Sequence, residues 1–132
     1  METSVVLRHG PSGISTRATK SRSAETNRRE AIRLLRLALA VALRTRPDTP
    51  SALWLSRARG GRIAVATRHA DLPALLAEAL DVLALHDWDA APAAAFLGVT
   101  TSQLVRLVAL HAPALVRWND ERAARGLRPL RA

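Results

Sequence analysis

The chain has 132 residues, enough for one modest core with an appendage, and no cysteine, which excludes a disulfide framework and a thiolate metal site. Its apolar content is 48% with only 3% Phe, Trp and Tyr, so the core must be built from Leu, Ala and Val, which favours helices over a sandwich of sheets. The net charge of +9 is unevenly spread: ten Lys and Arg meet three acids over residues 1–46, whereas six meet six over residues 72–132, a segregation that suits a phosphate-rich partner.

Two short alternating runs come first, Ser4 to Arg8 and Ile14 to Thr19. Val5, Leu7, Ile14, Thr16 and Ala18 fall on one face, with Val6, Arg8, Ser15, Arg17 and Thr19 on the other. Pro11-Ser12-Gly13 between them supplies a turn, so the pair reads as a β-hairpin that must pack on something to be stable. A helix is predicted from Ser23, its N-cap, with Glu25 in the first turn, to about Arg44, ahead of Pro47 and Pro50. Ile32, Leu35, Leu39 and Val41 to Leu43 mark its apolar side. Arg29, Arg33 and Arg36 recur at helical spacing and make a cationic stripe, extended by Arg28 and reached by Lys20 and Arg22. The longest apolar run, Leu37 to Leu43, is too short to span a bilayer, and no signal-peptide pattern is present, which points to the cytoplasm.

Residues 47–70, with Pro47, Pro50 and Gly60-Gly61, read as a linker holding a short apolar piece, Leu53 to Leu55, and a possible strand from Arg62 to Arg68. Residues 71–132 read as an all-α unit. One helix starts at Asp71 and ends near His86, and another starts at Asp89 and stops at Gly98. A third has Thr100 and Gln103 as its capping box and ends around His111, and a last begins at Pro113 and is terminated by Gly126. The segment from Ala93 to Val108 has the form of a helix-turn-helix, with Val99, Leu104 and Leu107 inside. Only Arg106 makes its second helix positive, which argues for a structural or protein-contact role over reading of duplex DNA.

His9, His69, His86 and His111 are scattered and read as turn or helix-end residues, so no metal or other cofactor is expected. No nucleophile elbow, Ser-His-Asp pattern or Gly-rich phosphate loop is present, and no small-molecule substrate is indicated. Trp54, Trp88 and Trp118 are placed to anchor packing between segments.

The first 46 residues carry a more specific signal. Glu2-Thr3, Val5 to Leu7, His9, Pro11, Ser12, Gly13, Ile14, Arg22-Ser23, Asn27-Arg28 and Ala31 follow one another in the order and spacing seen in class I peptide-chain release factors, just after their catalytic Gly-Gly-Gln loop. The chain departs from that pattern at Ala24, where the family usually has Gln. The later Leu-Gly-Val-Thr-Thr-Ser-Gln-Leu-Val segment and the terminal Gly-Leu-Arg-Pro-Leu-Arg resemble the tail of short bacterial release-factor-like proteins.

The resemblance implies an α+β fold in which residues 1–46 are part of a release-factor catalytic domain, a β-hairpin packed on a long basic helix. The small all-α unit with its helix-turn-helix-like pair then follows. It implies action in translation termination or ribosome rescue, codon-independent rescue being the better fit, with the ribosome, ribosomal RNA and peptidyl-tRNA as partners. Lys20, Arg22, Arg28 and Arg29 would be the RNA contacts, with Arg33 and Arg36 extending them. The family promotes peptidyl-tRNA hydrolysis, whereas these 132 residues contain no Gly-Gly-Gln, so whether the protein is an enzyme stays open. Met1 stands where relatives often have Val after an Asn-Lys pair. The expectation is therefore a truncated gene model, with the Gly-Gly-Gln segment encoded in frame upstream; a stop codon met upstream of codon 1 before any Gly-Gly-Gln would overturn it. The alternatives are a small nucleic-acid-binding regulator that uses the helix-turn-helix, and a catalytically inactive RNA- or ribosome-binding protein.

Overall fold

The computed structural model describes residues 3–132; Met1 and Glu2, and the readings placed on them, lie outside the described residues. The first hairpin pairs β1 (Val5–Arg8) with β2 (Ser15–Ala18) antiparallel, in the register Val5 with Ala18 and Leu7 with Thr16. Its turn is closed by His9 N–H donating to the Ile14 carbonyl and Gly13 N–H to the His9 carbonyl, both at 2.8 Å. Gly13 sits at φ +75°, a conformation that a side chain disfavours. The Ser12 hydroxyl lies 2.8 Å from His9 Nδ1 and accepts from Ile14 N–H at 3.2 Å, which ties the turn residues to one another. As the alternation predicts, Val6, Arg8, Ser15 and Arg17 are exposed, while Val5, Leu7, Thr16 and Ala18 are partly or fully covered.

The covered face rests on α1 (Ala24–Ala42), capped by Ser23 Oγ, which accepts from Thr26 N–H at 3.2 Å. Thr16 Oγ1 donates to the Ala31 carbonyl at 2.7 Å, locking strand to helix. The buried positions of α1 are Asn27, Ala31, Leu37 and Ala40, whereas Leu43 is 47% exposed. Of the expected apolar side, Ile32, Leu35, Leu39 and Val41 are partly buried, Val41 against the core, whereas Ala42 and Leu43 are exposed. One helix serves two partners: Asn27 and Ala31 meet the hairpin region, and half a helix later Leu37 and Ala40 join the main core. No single stripe can satisfy both.

Residues 47–70, expected as a linker, carry α2 (Ala52–Arg57) and a two-residue hairpin of β3 (Ala58–Arg59) with β4 (Arg62–Ile63). The strand is shorter than the alternation from Arg62 to Arg68 suggested. Trp54 is fully buried, and its Nε1 donates to the Leu97 carbonyl at 2.7 Å. Gly61 bridges to Val99, with Thr100 N–H donating to the Gly61 carbonyl at 2.9 Å.

Next comes α3 (Leu72–Leu85), the central helix of the core, with Leu72, Leu75, Leu76, Ala79, Leu80, Val82 and Leu83 buried. It carries a buried carboxylate, Asp81, 3.2 Å from Arg44 Nη1 and hydrogen-bonded by Thr45 N–H at 3.1 Å and Thr45 Oγ1 at 2.7 Å. The turn after it holds Asp87 and Trp88 at φ +56° and +62°. A bulky residue adopts that conformation only when its surroundings fix it. Here the Trp88 carbonyl accepts from Trp118 Nε1 at 3.0 Å, and the ring lies under Arg117 at 5.6 Å.

The remaining helices are α4 (Ala90–Leu97), α5 (Thr101–Ala109) and α6 (Ala112–Ala124). Gly98, at φ +70°, ends α4, and Thr100 Oγ1 caps α5 by accepting from Gln103 N–H at 3.2 Å. The expected capping box is only half formed: Gln103 Oε1 accepts from Ile63 N–H at 3.1 Å, 40 residues away, and so pins the β3–β4 hairpin to α5. After α6 the chain turns back, and the Asn119 side chain holds both the N–H and the carbonyl of Leu130, at 2.7 and 3.0 Å. The architecture is thus mixed α+β, a hairpin on a long helix joined to a helical core. No helix among the described residues is long and apolar enough to cross a membrane.

Candidate nucleic-acid interface

The loop between β2 and α1 presents Lys20 and Arg22, both exposed, and its shape is fixed by Asn27. That side chain is 2% exposed. Its Oδ1 accepts from Ser21 N–H at 3.0 Å, and its Nδ2 donates to the carbonyls of Thr3 at 2.8 Å and Ser21 at 2.9 Å. A carboxamide is suited to this position, because it supplies an acceptor and donors from one planar group. Asn27 thereby joins the segment before β1, the loop and α1.

Arg28 and Arg29 follow on the exposed side of α1 and share Glu25, at 3.8 and 3.3 Å. With side chains 59% and 76% exposed, these pairs are worth little and leave both guanidinium groups available to an anion. Arg36 is also exposed, beside a groove between α1 and α3.

Arg33 stands apart from the stripe to which its spacing assigned it. It makes a two-point pair with Glu30, Nη2 to Oε1 at 2.6 Å and Nε to Oε2 at 3.0 Å, and its side chain is 26% exposed. Glu30 also takes Arg68 at 2.9 Å. Hydrogen bonding from Arg33 outweighs burial and holds the Glu30 carboxyl below the usual carboxylate range, while the same bond raises the pKa of Arg33. Arg33 contributes less free positive charge than Arg28 or Arg29.

The sequence reading missed three cations near this surface. Arg8 and Arg17 lie on the exposed face of the hairpin, where the alternation that placed them there was the available signal. Arg68 reaches Glu30 from 38 residues further along the chain, and no local pattern could have announced it. Arg8, Arg17, Lys20, Arg22, Arg28 and Arg29 are all exposed on the hairpin, its following loop and the first turns of α1, with Glu25 among them. Such an array can hold several phosphates of a nucleic acid, mainly through charge.

Around α5 the exposed cations are fewer, Arg106 with Arg62 across one cavity and Arg131 across another. Arg106 is exposed on α5, but the returning tail lies alongside: Leu130 and Arg131 line a cavity of about 510 Å³ together with Thr101, Ser102, Val105 and Arg106. The four histidines fall at turns or helix ends: His9 in the hairpin turn, His69 before α3, His86 after it and His111 before α6. No group of three His, Asp or Glu among the described residues could hold a metal ion. No protein-family model, curated protein or solved structure matches the chain.

Proposed function

We propose that this chain is a release-factor-like protein of the cytoplasm that acts in translation termination or ribosome rescue. In this reading it binds the ribosome and peptidyl-tRNA through the hairpin and the start of α1. The observation that carries the reading is the coincidence of the family-like residues with the structural joints. Pro11, Ser12 and Gly13 form the turn, Ser23 caps α1, and Asn27 ties the loop bearing Lys20 and Arg22 to the helix bearing Arg28 and Arg29. These joints present the cations on one continuous stretch. The role of the positive residues is to neutralise RNA phosphates; hydrolysis would need the Gly-Gly-Gln segment, which is not among these 132 residues. The chain as given is expected to bind without releasing peptide.

Reading of duplex DNA by α5 is disfavoured, because α5 itself offers one exposed cation, joined by Arg62 and Arg131 from neighbouring segments, against six on the hairpin, its following loop and the start of α1. Ribosome pelleting tests the proposal. Charge reversal at Arg28, Arg29 and Arg33 together should abolish salt-sensitive co-sedimentation, whereas unaffected pelleting rules out this surface as the contact. Binding to duplex DNA that is lost on changing Gln103 and Arg106 would instead support a regulator.

A further inference from the structure

Four cations and one carboxylate line a single cavity of about 340 Å³ between β2 and the first half of α1: Arg17, Lys20, Arg33, Arg68 and Glu30. Glu30 occupies two of the arginines at once, Arg33 at 2.6 Å and Arg68 at 2.9 Å. Each guanidinium has five N–H donors in a planar fork, so both keep donors beyond those given to Glu30. The Arg68 side chain is 71% exposed, so its pair with Glu30 adds little to stability. What the pair does is bring a cation from the loop between β4 and α3 onto a cavity otherwise built by the hairpin and α1.

We propose that this cavity receives a backbone phosphate of bound RNA, held by Lys20, Arg33 and Arg68, and that Glu30 stands in for that phosphate in the free protein. The proposal rests on the RNA-binding reading above and adds a specific seat to it, with one contact supplied from outside the hairpin and α1. Its chemistry is that of arginine with an oxyanion, since a carboxylate and a phosphate present similar acceptor pairs to the same fork. When the phosphate arrives, Glu30 becomes a like charge beside it, which limits affinity.

Fluorescence anisotropy of a labelled single-stranded RNA over a salt series tests this on the full chain, with thermal unfolding to confirm that each variant is folded. Arg68→Ala should bind several-fold more weakly, and its dependence of log K on log salt should be shallower by about 0.7, the loss of one single-strand phosphate contact. Glu30→Gln, which keeps the side-chain shape and removes the charge, should bind several-fold more tightly. If both variants match the wild type while Arg28→Ala/Arg29→Ala weakens binding, the RNA reading stands and the phosphate seat is overturned. If the wild type shows no salt-sensitive RNA binding, the reading beneath it fails and the seat falls with it. Stabilisation of the wild type by inorganic phosphate alone, lost in Arg68→Ala and without RNA binding, would assign the cavity to a free anion and overturn the RNA assignment.

Discussion

Replacing Asn27 with Ala should loosen the joint on which the cationic surface depends. The side chain is 2% exposed and makes three hydrogen bonds, at 2.8, 2.9 and 3.0 Å, to groups that have no role in a regular ladder. Each such bond contributes about 1 kcal/mol net, and truncation strands the partly buried Ser21 N–H and the Thr3 carbonyl, while the Ser21 carbonyl keeps Thr3 Oγ1 as a donor at 3.2 Å, so a loss of about 2–3 kcal/mol is expected. Some of those partners can turn to water, which keeps the figure from being larger. Scaling the entropy of unfolding to a chain of this length gives a fall in melting temperature of about 7–11 °C. Thermal unfolding followed by circular dichroism measures it, and hydrogen exchange at the Ser21 amide reports on the loop itself. RNA or ribosome binding should weaken in the same variant at temperatures where it remains folded, because Lys20 and Arg22 lose their fixed approach. A melting temperature within about 1 °C of wild type, with Ser21 still protected, would refute the view that Asn27 organises the surface.

Two further outcomes follow from buried or half-buried charge. Asp81→Ala leaves Arg44, whose side chain is 20% exposed, without its carboxylate and should cost about 3–5 kcal/mol in chemical denaturation. The double variant Arg44→Met/Asp81→Leu should recover part of that, because it removes the uncompensated cation while Thr45 N–H and Oγ1 still lose their acceptor. For His111, burial first and the neighbouring Arg33 second hold the pKa below its ordinary value of 6.5, so the folded state favours the neutral ring. The stabilisation is complete above pH 6.5 and is lost as pH falls below it, because the unfolded chain takes up the proton first. Stability measured through that range should decline in the wild type and decline less in His111→Gln; equal slopes would show that His111 is not the group responsible.

Short-range features were legible in the sequence because their causes are short-range. Pro11 and Gly13 demand a turn, period-two alternation sets the two faces of the hairpin, and Ser23, Asp89, Thr100 and Gly98 are residues whose side chains or conformational freedom bound helices locally. The exposed cations Lys20, Arg22, Arg28 and Arg29 were legible for the same reason, lying close together on a loop and the helix after it. What misled was spacing taken as a proxy for exposure. Arg33 sits at the right interval in the stripe yet turns to Glu30. Gln103 sits at the capping-box position yet bonds Ile63, and Pro and Gly around Trp54 look like a linker although that indole is in the core.

By itself, then, the sequence determined the hairpin and its turn, the helix starts and stops, the exposed alternate face and the concentration of charge in the first third. Tertiary structure alone decided how α1 divides its surface between the hairpin and α3, which of the basic residues are free and which are paired, and that Arg68 joins Glu30. The physical reason is range. Backbone preferences and side-chain periodicity act over a few residues, whereas burial and ion pairing depend on which distant segment fills the space opposite. Two residues 38 apart in the chain share a carboxylate only because the fold folds one over the other.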